Sequence, residues 1–292
     1  WPGWLGLAVA VGQWVVAVGL VGEARRTPEV VDRALRDALG DDHADELPDH
    51  PAGWWRPRWL PLVLPVVSGH RDVRRRRDVV YGRAGGRDLH LDVFEPREPG
   101  RARPAVVYVH GGGWSLGFRD RQGLPLLVEL ARRGWVGVQP SYRLSPLATF
   151  PDHLVDVKRA VAWVRANADE LGVDPDMVAV VGGSAGGHLA ALAALTPDRA
   201  DLQPGFEDAD CRVQACVPIY GVYDPAGEHG HQYAGLRGFL ARVVIKADPD
   251  EDPDRWATAS PMAQVRADAP PFLVVHGDRD SITSPQEANA FA

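Results

Sequence analysis

Cysteine is scarce in this 292-residue chain, and no clusters of metal ligands are visible. The two cysteines, Cys211 and Cys216, are five residues apart around a predicted strand, and this spacing points them to opposite faces. We therefore expect buried thiols and no disulfide. Histidine, cysteine and acidic residues show no metal-site spacing, so the sequence predicts no metal centre.

An excess of positive charge is also missing. The chain has 32 basic and 39 acidic residues, a formal net charge of −7, and no basic stripe in its second half. This balance argues against nucleic acid as a partner. The length is sufficient for one large α/β domain with an appendage.

Charged side chains are absent from residues 1–22, where Gln13 is the most polar residue. About twenty such residues suffice to cross a bilayer as a helix, and tryptophans at positions 1 and 4 suit its interface. We expect a transmembrane or anchor helix and a membrane-associated protein. The core of a secretory signal peptide and a helix packed on a soluble domain are the alternatives, so a secreted or cytoplasmic location stays open.

Residues 23–77 are predicted to form an amphipathic helix over 27–39 and then a connector rich in tryptophan, proline and arginine. Its aromatic and basic residues suit a membrane surface or a cap over a site. The four arginines at 74–77 would contact lipid head groups or form a solvated charge run.

The glycine-rich run 182–186, Gly-Gly-Ser-Ala-Gly, lies between an apolar strand pattern and an alanine-rich helix pattern. Strand, Gly-x-Ser-x-Gly and helix together are the context of a nucleophile elbow. The glycines permit a turn too tight for side chains, and the turn exposes the serine near a helix N-terminus. The pattern predicts Ser184 as a nucleophile.

A second glycine run, His-Gly-Gly-Gly-Trp at 110–114, directly follows the apolar strand pattern at 104–109. Bare backbone can approach a substrate closely here, and N–H groups aimed at a developing oxyanion are worth several kcal/mol. The predicted donors are the amides of Gly112 and Gly113, together with the amide of Ala185 after the nucleophile.

These motifs resemble the hormone-sensitive-lipase-like carboxylesterase group of α/β-hydrolases, with acetyl-esterase-like and feruloyl-esterase-like relatives. Similar segments are Ser-Tyr-Arg-Leu-Ser-Pro at 141–146 and Pro-Ile-Tyr-Gly at 218–221. Many members carry an acidic residue or asparagine where this chain has Gly183. The resemblance implies an α/β-hydrolase fold with a serine, acid and histidine triad.

The resemblance places the triad acid at Asp280, in the pattern His-Gly-x-x-Asp at 276–280, with Asp278 as the alternative. In this fold the histidine follows the acid in the chain, yet no histidine lies beyond His276. We expect the base, and the last strand of the sheet, to lie on sequence beyond residue 292. The 292 residues alone should therefore hydrolyse esters poorly.

Alternating strand and helix patterns predict a mainly parallel sheet covered on both faces, in a catalytic domain over 78–292. The interval 224–255 interrupts this alternation and is interpreted as a cap-like insertion that covers or lines the pocket. Strands are expected at 78–81, 89–94, 105–109, 134–139, 177–181, 213–219 and 272–275, and helices at 124–132, 153–168 and after the elbow.

The leading hypothesis is a serine carboxylesterase or lipase-like hydrolase of small to medium acyl esters, which needs no cofactor. Trp114 and Tyr142 are expected to line the acyl or alcohol pocket. An amidase, formamidase or peptidase would use the same groups. A non-catalytic binding protein on a hydrolase scaffold is the alternative from another class.

Overall fold

The computed structural model describes residues 2–42 and 72–292, and the chain divides into two units, Trp1–Arg58 and Trp59–Ala292. The tryptophan-rich and proline-rich part of the predicted connector lies outside the described residues. Each unit is considered by itself.

The N-terminal unit contains two helices, α1 (Pro2–Ala24) and α2 (Thr27–Leu39). The described side chains of α1 are exposed. By length and composition, one helix in the described chain, within Gly6–Leu39, could cross a membrane. Helix α2 has the predicted bounds, with Pro28 in its first turn.

The second unit is built on a six-stranded sheet. Its strands are β1 (Val73–Ala84), β2 (Arg87–Pro96), β3 (Arg103–Val109), β4 (Val136–Pro140), β5 (Val173–Gly183) and β6 (Ala215–Ile219), in the order β1-β2-β4-β3-β5-β6. β1 and β2 form an antiparallel hairpin, β2 also pairs antiparallel with β4, and the remaining pairs are parallel. The mainly parallel sheet is thus as predicted.

The predicted strand at 272–275 is present as a broken ladder beside β6. Parallel bridges join Cys216 to Phe272 and Ile219 to Val275. The amide of Val275 donates to the carbonyl of Pro218 at 3.1 Å. This segment extends the sheet past β6 and leads into the loop that carries Asp280.

Both faces of the sheet are covered, as alternate residues of β3 show. Ala105, Val107 and Val109 belong to one apolar core, and Val106 and Tyr108 belong to another. The α-helices of this unit are α3 (Leu124–Arg132), α4 (Asp152–Ala166), α5 (Ala168–Leu171), α6 (Ala185–Leu195), α7 (Ala234–Phe239), α8 (Pro253–Thr258) and α9 (Pro285–Phe291). The first core includes residues of α4 and α6, and the second includes residues of α3.

The first strand starts earlier than predicted, at Val73 instead of residue 78. The arginine run 74–77 lies within it, and three of its four side chains, those of Arg74, Arg75 and Arg76, pair with carboxylates of neighbouring elements. Arg75 binds Asp92 at 2.6 Å, and Arg76 binds Glu170 at 2.7 Å. The run is therefore part of the sheet and its ion pairs.

The two cysteine thiols are free and buried, as predicted. Cys216 lies in β6 and Cys211 lies four residues before that strand. Burial raises the pKa of the Cys211 thiol to about 11, so this thiol stays protonated at neutral pH.

Candidate active site

Ser184 lies between the end of β5 and the start of α6 with φ 55° and ψ −123°. This backbone region is strained for a residue with a side chain, at a cost of about 1–3 kcal/mol. The amide of Ser184 donates to the carbonyl of Ile219 at 2.9 Å. Ser184 is half-buried, and within the described residues its hydroxyl makes no hydrogen bond.

The glycines around Ser184 are required by backbone contacts. A Cβ on Gly186 would lie 2.1 Å from the carbonyl oxygen of Val109, and one on Gly182 would lie 2.2 Å from that of Gly186. Backbone atoms cannot move aside as a flexible side chain can, so only glycine fits. The same contacts pack the elbow against the end of β3.

The structure brings the two glycine motifs together. A Cβ on Gly111 would lie 2.6 Å from the carbonyl oxygen of Gly183 and 3.2 Å from the Cβ of Ser184. The loop 110–114 therefore borders the serine directly, as a cleft for acyl transfer requires.

Two amides of this loop are free to bind an anion. Gly112 and Gly113 have φ values of +126° and +58°, and neither amide has an acceptor within the described part of the chain. The amide of Gly111 differs, because it donates to Oε1 of Gln122 at 2.8 Å. Ala185 is the first residue of α6, where an amide has no partner within its own helix. Ala185 directly follows Ser184 and the loop 110–114 borders it, so these three amides stay the predicted oxyanion donors.

Asp280 lies in the loop that follows residues 272–275. Its Oδ1 accepts hydrogen bonds from the amides of Ile282 at 2.7 Å and Thr283 at 3.0 Å, and its Oδ2 accepts one from the Thr283 hydroxyl at 2.9 Å. Burial opposes ionisation, but these donors outweigh it and the pKa of Asp280 is lowered. Asp278, the alternative, is exposed.

His276 approaches the predicted acid. Its Nε2 lies 3.4 Å from Oδ2 of Asp280 and 3.2 Å from the carbonyl oxygen of Thr283. These contacts place His276 in the acid loop. Among the described residues, no histidine is hydrogen-bonded to Ser184, and no group of three or more histidine, cysteine or acidic residues could hold a metal ion. His43, His50 and His70 lie outside the described residues.

His188 is fully engaged beneath the site. Its Nδ1 accepts the indole N–H of Trp114 at 3.2 Å, so Nε2 carries the proton and donates to the carbonyl of Ala259 at 2.7 Å. Burial lowers the pKa of His188 to about 4. A neutral ring with both nitrogens bonded braces the loop and is unavailable as a general base.

Trp114 and Tyr142 do not occupy the positions expected of them. Trp114 is 2% exposed and Tyr142 is 4% exposed. The Tyr142 hydroxyl donates to the carbonyl of His110 at 2.9 Å, and the two rings stack at 4.4 Å. Both side chains point into the core under the glycine loop, so they support this loop instead of lining the cleft.

Three aromatic residues that sequence reasoning did not single out border the site. The Phe239 ring lies 3.9 Å from the position of a Cβ on Gly113. The Tyr233 hydroxyl donates to the carbonyl of Asp280 at 3.3 Å. The Tyr220 hydroxyl lies 2.8 Å from a Cβ position on Gly183. The sequence offered two signals: the interval 224–255 contains Tyr233 and Phe239, and the segment Pro-Ile-Tyr-Gly at 218–221 contains Tyr220.

The comparison with protein families matches residues 91–292 to BD-FAE. The chain belongs to the BD-FAE family. The curated relatives of this family member include the "Probable carboxylic ester hydrolase LipM" of Mycobacterium tuberculosis. It is 41% identical over an alignment of 296 positions that covers 95% of this chain and 67% of LipM. Esterase LipQ of the same organism is 40% identical over 92% of this chain and 65% of LipQ. The chain spans about two thirds of the length of these relatives.

Solved structures similar to this BD-FAE family member are also esterases. Est2, an esterase of Thermogutta terrifontis, is 29% identical with a TM-score of 0.63, over 76% of each chain. A truncated carbohydrate esterase from gut microbiota is 26% identical with a TM-score of 0.65, over 75% of this chain and 81% of its own. These matches confirm the predicted α/β-hydrolase fold and the resemblance to carboxylic ester hydrolases.

Proposed function

We propose that this chain carries the nucleophile, the oxyanion hole and the triad acid of a serine carboxylesterase. The observation that supports this most strongly is the close approach of Gly111 to Ser184. A Cβ added to Gly111 would lie 3.2 Å from the Cβ of Ser184. A half-buried, strained serine beside free amides is an arrangement suited to acyl transfer.

In the proposed reaction, the Ser184 Oγ attacks the ester carbonyl carbon and loses its proton to a histidine. The amides of Gly112, Gly113 and Ala185 bind the resulting oxyanion. In such sites each donor lowers the activation free energy by about 2.7–4 kcal/mol. The alcohol leaves with the proton held by the histidine, and water then hydrolyses the acyl-enzyme. No cofactor takes part.

Asp280 orients that histidine and stabilises its charged form. The carboxylate is suited to this, because its amide and hydroxyl donors favour ionisation. The chain spans about two thirds of the length of its curated relatives, so activity is measured on the full-length protein. The substrates we propose are esters of small to medium acyl groups.

The decisive variant is Ser184→Ala in the full-length protein. We expect the kcat for p-nitrophenyl acetate to fall by about 10⁴–10⁶-fold, because the covalent step is lost. Ser281→Ala is the matched control, since Ser281 is exposed in the acid loop. Activity that survives Ser184→Ala would refute the proposal. A matched amide hydrolysed faster than the ester would assign an amidase instead, and an inactive wild type would favour a binding protein.

We further propose that α1 anchors the protein to a membrane. The helix has 23 residues and exposed apolar side chains. At 1.5 Å per residue it is about 34 Å long, which exceeds the roughly 30 Å of a bilayer hydrocarbon core.

A further inference from the structure

Helix α7 extends between the two halves of the candidate site. Tyr233, directly before α7, donates its hydroxyl to the carbonyl of Asp280 at 3.3 Å. Phe239, the last residue of α7, has its ring 3.9–4.0 Å from the position of a Cβ on Gly113. One end of this helix therefore meets the acid loop, and the other meets the oxyanion loop.

The chemistry of acyl transfer indicates which part of the ester lies near each end of α7. The histidine oriented by the acid must protonate the leaving alcohol, so the alcohol lies on the side of Asp280. The carbonyl oxygen points to the amides of Gly112 and Gly113. The acyl chain then extends away from Asp280, towards the end of α7 that carries Phe239. At 1.5 Å per residue the two ends of the helix are about 9 Å apart.

We propose that Phe239 is the specificity-determining residue that closes the acyl pocket and limits it to short acyl chains. This inference rests on the proposed esterase function of the same site. The ring lies 3.9 Å from the position that a Cβ on Gly113 would occupy, so it borders the space beside the oxyanion loop. We expect an acyl chain of more than a few carbons to meet this ring.

The position of Phe239 at the end of the acyl pocket is fixed by its buried neighbours in the chain. The chain continues from it into a π-helical turn, Leu240–Val244, in which Leu240 is 2% exposed and Val244 is 1% exposed. The amide of Phe150 donates to the carbonyl of Val244 at 2.9 Å. Phe239 itself is half-buried and packs against the main core. This packing restricts the movement of its ring.

The test measures kcat/KM of the full-length protein for p-nitrophenyl acetate, butyrate and octanoate, which share one leaving group. In Phe239→Ala we expect the octanoate-to-acetate ratio to rise by at least about 10-fold, since one methylene in an apolar pocket is worth about 10–200-fold. In Phe239→Trp we expect butyrate turnover to fall relative to acetate. Arg237→Ala, at an exposed residue of the same helix, should leave the ratios unchanged.

An unchanged octanoate-to-acetate ratio in Phe239→Ala, with a melting temperature near that of the wild type, would overturn the inference. If Phe239→Ala unfolds, Phe239→Leu keeps an apolar side chain in the core and should still raise the ratio; an unchanged ratio there overturns the inference equally. The two proposals fail in different ways: activity that survives Ser184→Ala refutes the esterase site, whereas an unchanged ratio in an enzyme that depends on Ser184 refutes only the role of Phe239.

Discussion

At the scale of single residues, three of the six described non-glycine residues with positive φ lie around the candidate site. Trp114 has a φ of 55°, Ser184 of 55° and Tyr220 of 40°. Each such residue costs about 1–3 kcal/mol, which the surrounding packing must offset. The indole N–H of Trp114 donates a hydrogen bond to His188, and the amide N–H of Ser184 donates one to the carbonyl of Ile219. These contacts and the surrounding packing hold the strained serine in place before substrate binds.

The assignment of the triad acid is tested by Asp280→Asn. An amide cannot stabilise a charged histidine, so we expect kcat of the full-length protein to fall by about 10³–10⁴-fold, as in the triad of serine proteases. Asp278→Asn is the matched control at the exposed neighbouring aspartate and should stay within about 3-fold of the wild type. Equal losses in both variants would count against Asp280 as the acid.

At the scale of elements, each candidate catalytic group follows the end of a strand. The loop 110–114 follows β3, Ser184 follows β5, and Asp280 follows the segment paired with β6. In a parallel sheet these carboxyl ends meet at one edge, where ligands bind. The insertion that contains α7 reaches the same edge through Tyr233 and Phe239.

The proposed anchor is tested by Val11→Arg, near the middle of α1. An arginine at the centre of a membrane helix costs about 2.5–3.5 kcal/mol, so the full-length protein should move from the membrane fraction to the soluble fraction. Val80→Arg is the matched control, because Val80 lies in β1 and is 51% exposed, close to the 54% of Val11. Wild-type protein found in the soluble fraction would contradict the anchor.

At the scale of the whole molecule, buried histidines make stability depend on pH. Burial lowers the pKa of His153 and of His188 to about 4 each. Between pH 4 and 6.5 the unfolded chain binds protons that the folded chain excludes, so these groups lower the free energy of unfolding as the pH falls through that window.

This pH dependence is tested by urea unfolding of the wild type and of His188→Gln at pH 7 and pH 5. Glutamine keeps one donor and one acceptor for Trp114 and Ala259 but takes up no proton. A pKa of 4 in place of 6.5 lowers the free energy of unfolding by on the order of 2 kcal/mol at pH 5. Between pH 7 and pH 5, the free energy of unfolding of the variant should therefore fall by about 2 kcal/mol less than that of the wild type. His231→Gln, at an exposed histidine, should lose as much as the wild type. Parallel losses in all three proteins would refute the role of His188.

The sequence determined what depends on neighbours along the chain. Helices α2 and α3 have the predicted bounds, because apolar periodicity and proline positions act within a few residues. The two glycine motifs were recognisable for the same reason, since a tight turn after a strand restricts the residue types locally.

Tertiary structure decided what depends on contacts between distant segments. Only the folded sheet brings Gly111 against Ser184. Trp114 and Tyr142 were expected in the cleft, yet their partners His188 and the carbonyl of His110 hold them beneath the loop. Phe239 carries no local signal, because its importance arises from a glycine more than a hundred residues earlier. Local sterics can be read from a sequence, but which surfaces meet is settled by packing over the whole domain.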